Sequence, residues 1–168
     1  MSGFFFHAII ARMEINILID KEFKKQVKST WLKNLARQIQ TAENVSAKSE
    51  MELVITGDEE IHKLNLKYLD EDRPTDVLSF PMNEQLEAAP VFVKVPDGKL
   101  HLGEIIISYP TAVIQAEEHR HSVNREIVIL LIHGILHLLG YDHDIPEREQ
   151  VMHNRESAIL KTIEEQGL

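Results

Sequence analysis

From Ile127 to Leu139 the chain is apolar except at His133, Gly134 and His137. A helix of that composition has no polar stripe to turn toward water, so the run predicts a buried central helix with the rest of the chain packed around it. At about 100° per residue, a spacing of four returns His133 and His137 to one face, a turn apart. Polar rings in a core need partners, and one metal ion satisfies both at once. Gly140 can take the left-handed conformation that ends a helix. The chain then turns back through Tyr141 and Asp142, which carries His143 round as a third ligand. One histidine in such a helix reads as a core or cap residue; three at offsets of four and ten read as a metal grip. Three neutral imidazoles leave a tetrahedral zinc ion an open position for water, as a catalytic site requires. Imidazole also suits nickel, copper and iron.

The spacing HxxxHxxGxxH is shared with the metzincin proteases, whose signature reads HExxHxxGxxH. There the glutamate after the first histidine is the general base. Here that position is Gly134, so the metal grip is kept and the protease base is missing.

The eleven residues His133 to His143, HGILHLLGYDH, resemble the signature of the YbeY family of metal-dependent endoribonucleases. Residues 74–81, PTDVLSFP, match a second family segment. Residues 102–108, LGEIIIS, resemble a third, usually LGDIVIS, and Leu64-Asn65 extends the similarity upstream. The resemblance implies an α+β fold and zinc held by His133, His137 and His143. It further implies cleavage of single-stranded RNA in the cytoplasm, in small-subunit ribosomal RNA 3′ maturation and ribosome quality control. Ribosomal RNA and the ribosome are then the partners. Whether water or the RNA's own 2′-hydroxyl attacks phosphorus stays open. One departure stands out: the family usually has Tyr-Arg before PTDVLSFP, with the arginine in the active centre, where this chain has Tyr68-Leu69. Arg73 is the candidate substitute, and an exposed turn residue is its competing reading. Two other functions therefore stay in view: a zinc metallopeptidase, and a non-catalytic ribosome-associated protein with a structural metal.

At 168 residues, with 43% hydrophobic and 27% charged content, the chain fits one globular domain. Without cysteine it has neither disulfides nor thiolate ligands, which a reducing cytoplasm accommodates. No apolar run approaches the about 20 residues that span a bilayer. The opening Phe4–Ala11 is short and lacks the preceding basic residues of a secretory signal. The folded domain is expected over residues 13–168, with 1–12 as an N-terminal extension. A net charge of −9 sits awkwardly with RNA binding. From Lys21 to Lys48, however, seven basic residues face only Glu22 and Glu43, a local balance of +5. A solvated helix face explains that segment; a patch beside the site is the other reading.

In chain order, Glu14–Asp20 alternates as a strand, and Phe23, Val27, Trp31, Leu35 and Ile39 form a helical stripe. After a connector comes a strand over Met51–Thr56. Thr56 three residues before Glu59 suits a capped helix start, with Ile61, Leu64, Asn65 and Tyr68 on one face. Pro74 and Pro81 bracket a short strand. Residues 82–99 read as an irregular excursion holding a hairpin, and Leu100–Ser108 as the central strand. Pro110 opens a helix, and Pro146 another to about Glu165. The fold class expected is α+β, a small mixed sheet packed with helices around the histidine-bearing one. Asp142 and Glu126 are candidates to orient an imidazole, with turn formation and a helix N-terminal charge as their alternatives. His7, His62, His101 and His153 lack ligand spacing and read as surface residues. His119 and His121 lack it too and read as core or surface, though the resemblance brings them nearest to function, the family often having histidine at the latter.

Overall fold

The computed structural model describes residues 13–82 and 98–167. The expected extension over 1–12 and the hairpin in the 82–99 excursion fall outside these residues, but for the excursion's ends. Strand β1 (Glu14–Ile19) leads to a 3-10 turn at Lys21–Phe23, then α1 (Ser29–Ala42), β2 (Ser49–Thr56) and α2 (Asp58–Leu69). Strands β3 (Val77–Pro81) and β4 (Leu100–Ser108) follow, then α3 (Tyr109–Glu118), α4 (Val123–Leu138) and α5 (Pro146–Glu165). The sheet order is β1-β2-β4-β3. The first two pairings are parallel and β3 runs antiparallel to β4. The expected mixed-sheet α+β class is what the chain adopts, and β4 lies inside the sheet.

Period-two alternation sends β4 side chains to two unequal faces. Leu102, Ile105 and Ile107 join the main core with α1, α4 and α5 residues, among them Leu32, Leu131 and Ile159. Ile106 faces the other way, into a small cluster with Ile61 of α2 and Leu78 of β3. α4 is the hub, with Ile127, Leu131, Ile135 and Leu136 all inaccessible to water. Each such side chain contributes about 1.5–3 kcal/mol on burial. Gly134 is what lets α4 lie this close to the sheet. A Cβ there would stand 2.9 Å from Ile105 Cγ2 and 3.2 Å from Ser79 Oγ.

Three local expectations fail for identifiable reasons. The stripe from Phe23 to Ile39 is not one helix, because Lys28 is extended (φ −102°, ψ 126°) and α1 begins only at Ser29. Phe23 and Val27 remain buried through the preceding turn, the Phe23 ring tilted against that of Tyr109 with centroids 5.0 Å apart. Thr56 does not cap α2; its hydroxyl donates to Asp20 Oδ2 at the ends of the paired strands, 2.7 Å away. Tyr68, in the last turn of α2, is 56% exposed; its ring meets the Phe80 ring edge-on at 5.2 Å, with the Lys67 ammonium 4.8 Å from its centroid.

Candidate metal centre

α4 presents His133 and His137 one turn apart, with Nε2 atoms 3.0 Å apart. Gly140 has φ +89°, and the N–H of Tyr141 donates back to the Leu136 carbonyl at 3.0 Å. This left-handed helix end is the one the sequence predicts. It swings His143 round until its ring lies 5.1 Å from that of His137 and 5.9 Å from that of His133. One ring nitrogen from each of the three lies within 4.8 Å of the others.

The far sides of the two helical rings are tied down. His133 Nδ1 lies 2.7 Å from Glu156 Oε1 on α5, and His137 Nδ1 lies 3.0 Å from the Tyr141 carbonyl oxygen. Both partners accept, so in neutral rings each Nδ1 carries the proton and each Nε2 is a bare lone pair. Two lone pairs facing at 3.0 Å repel unless a cation sits between them. Protonation is the poorer remedy, because burial, and then the neighbouring His133 and His143, hold His137 below the usual imidazole range. The donor set therefore fits a divalent transition metal.

The turn that carries Tyr141 is itself anchored. Tyr141 Oη donates to Glu43 Oε2 at 2.9 Å, and burial followed by this carboxylate raises the phenol's pKa. Arg155 completes the anchor, bonding Glu43 through Nε and the Ala42 carbonyl through Nη2 at 2.6 Å.

The histidines form one end of a cleft of about 850 Å³, whose other wall includes Leu69, Arg73, Asp76 and Ser79. Asn65, buried, donates to the Arg73 carbonyl at 2.8 Å and so pins that wall. Asp76 shapes it further, accepting from the Val77 N–H at 2.8 Å and from Gln115 Nε2 at 3.0 Å.

Arg73 does reach this cleft, but its guanidinium is held by Glu71 at 2.8 Å and its side chain is 73% exposed. Leu69 lines the same cleft with no charge to offer. Asp142 accepts from the His143 backbone N–H at 2.7 Å. It builds the turn, and the orienting of rings falls to Glu156 and the Tyr141 carbonyl. Glu126 is remote from His133 and faces His119 and His121 instead. Of the two readings, core or surface, His121 takes the first: its side chain is 13% exposed against a buried carboxylate. Glu156 has no signal in the sequence, since an acid on an amphipathic helix 23 residues downstream reads as a solvated face. Lys21, Lys24, Lys25, Lys28 and Lys48 are exposed, and none of the five lines the cleft, as a solvated face requires.

The profile of the endoribonuclease YbeY family matches residues 14–164. The chain belongs to that family. An endoribonuclease YbeY from Dehalococcoides mccartyi is 49% identical over 166 residues, covering 95% of this chain and 96% of the relative. One from Roseiflexus castenholzii is 38% identical over 151 residues, covering 89% and 92%. The solution structure of a Thermotoga maritima protein matches with a TM-score of 0.57 at 27% identity, covering 88% of this chain and 87% of that one. In this YbeY-family chain, residues 75–79 and Pro81 face the three histidines across the cleft, with Leu69 on the same wall. Among its described residues no helix is long and apolar enough to cross a membrane.

Proposed function

We propose that this chain is a zinc-dependent endoribonuclease that cuts single-stranded RNA in the cytoplasm. Its process is small-subunit ribosomal RNA maturation and ribosome quality control, with the ribosome as partner. The observation that carries the metal is the pair of bare Nε2 lone pairs at 3.0 Å, each fixed by an acceptor behind the ring. His133, His137 and His143 hold the ion. Zinc bound there supplies Lewis-acid polarisation and lowers the pKa of a bound water to about 7. Glu156 and the Tyr141 carbonyl keep the rings in the ligating tautomer, a role whose loss typically weakens metal binding about 10–100-fold. Asn65 and Asp76 hold the opposite wall, so an RNA strand in the cleft meets preformed surfaces. Arg73 is the one lysine or arginine among the described cleft-lining residues. Glu71 engages it, which limits what it offers a phosphate.

Peptide hydrolysis is the weaker reading. A carboxylate base after His133 needs a side chain at Gly134, where even a Cβ meets Ile105 at 2.9 Å. The test is cleavage of an unstructured RNA by chelator-stripped protein before and after zinc is restored, with casein alongside. Zinc-restored RNA cleavage and intact casein are expected; zinc-restored proteolysis without RNA cleavage reverses the assignment.

A further inference from the structure

The junction of α3 and α4 brings together a second group of donors that the cleft does not use. Glu126 is 3% exposed, and its Oε2 lies 3.2 Å from His119 Nδ1 and 3.0 Å from His121 Nε2. Among the described residues no lysine or arginine pairs with it; Arg125 is engaged by Glu164 at 2.6 Å. The positive end of α4 offsets part of the cost of burying this charge. The remainder must come from the two histidines or from something they hold.

His121 decides between those. Its Nδ1 lies 3.1 Å from the Ser122 carbonyl oxygen, which can only accept, so Nδ1 carries the proton. In a neutral ring the bare lone pair of Nε2 then points at a carboxylate oxygen 3.0 Å away. A second ring proton or a seated cation relieves that contact. The surroundings favour the cation. His119 brings another ring nitrogen to the same oxygen, and all three donor atoms lie within 4.8 Å of one another. With metal–ligand bonds of about 2.0–2.1 Å, neighbouring donors in a tetrahedral site stand about 3.3 Å apart. The two donor spacings to Glu126 need to open only slightly. The turn that ends α3 sets the two rings side by side. Arg120, between the two histidines, has φ +58°, a left-handed conformation that ends α3 and that arginine adopts uncommonly. The N–H of His121 closes that turn on the Ala116 carbonyl at 3.0 Å, leaving the two imidazoles 5.5 Å apart.

We propose that His119 Nδ1, His121 Nε2 and Glu126 Oε2 form a second site for a divalent transition metal, zinc by donor set, that clamps the α3–α4 junction. Two imidazoles and one carboxylate are a known zinc-binding combination. Glu126 precedes His133 by seven residues, about 10 Å along a helix, so this site is distinct from the cleft. Binding uses only lone pairs of neutral rings and an ionised carboxylate, and any proton on His121 Nε2 passes to solvent.

The test is cobalt titration of metal-free His133→Ala/His137→Ala protein, in which the cleft lacks two of its three ligands. One equivalent of Co²⁺ is expected, with visible ligand-field absorption and a rise in Tm, and zinc should displace it. Adding His119→Ala, an exposed ring whose loss spares the fold, should weaken binding at least about tenfold. Glu126→Gln should abolish it, with circular dichroism reporting whether the fold survives. No cobalt or zinc bound at micromolar concentrations overturns the site and leaves a protonated His121–Glu126 pair. Binding that survives both His119→Ala and Glu126→Gln overturns it equally. Since the cleft is disabled throughout, either result is independent of how the endoribonuclease reading fares.

Discussion

The two histidine groups sit at opposite ends of α4 and are held differently. At the C-terminal end, His133 and His137 are oriented by Glu156 and the Tyr141 carbonyl, and they face a cleft of about 850 Å³. At the N-terminal end, His119 and His121 close over a buried carboxylate and line none of that cleft. Donor geometry alone is common to both. What separates the proposed catalytic centre from the proposed clamp is the second wall, which Asn65 and Asp76 hold in place. Substitutions in the first group should therefore change RNA cleavage, and those in the second should change metal content and stability only.

The largest effect that sharpens this contrast lies at Leu69, on the cleft wall. A fixed charged donor near the developing phosphoryl charge is typically worth on the order of 10²–10³ in rate. Leu69→Arg, at an exposed position, should raise RNA cleavage toward that range, while His119→Ala leaves it unchanged in single-turnover assays. An unaltered Leu69→Arg rate would mean that position does not reach the scissile phosphate. Next comes Glu156→Ala, expected to cut metal affinity about 10–100-fold by chelator competition, with fold retained. Full-strength binding would show that Glu156 is only a neighbour of His133.

Gly134→Ala probes packing. Overfilling the contact with Ile105 costs about 1–3 kcal/mol, of which up to about 1 kcal/mol returns through helix propensity. A lower urea midpoint at unchanged m is expected, and a higher midpoint contradicts the close approach of α4 to β4. The smallest effect belongs to Arg73→Ala. Because Glu71 already engages the Arg73 guanidinium at 2.8 Å, cleavage should fall no more than a few-fold. A collapse in rate would show that Arg73 leaves Glu71 to hold RNA.

Much of this was legible beforehand where the signal is local. The apolar run around His133 and His137, the Gly140 turn and the prolines at α3 and α5 each rest on neighbours in sequence, and each appears as expected. What stayed hidden depends on distant segments. Glu156 reaches His133 from another helix, Asp20 takes the Thr56 hydroxyl across the sheet, and Lys28 breaks a stripe whose hydrophobic spacing looks continuous. His119 and His121 failed for a related reason. Their partner is near in sequence, but only the left-handed turn at Arg120 aims both rings at it, and an arginine does not announce such a turn.

The three-histidine group in the cleft is proposed to be what cuts RNA. Its most direct test is single-turnover cleavage of an unstructured RNA by zinc-loaded protein beside His137→Ala, with zinc content and circular dichroism measured on the same samples. His137→Ala should keep its fold, lose the cleft ion and show no cleavage above background. Cleavage at the wild-type rate by folded His137→Ala protein would contradict it.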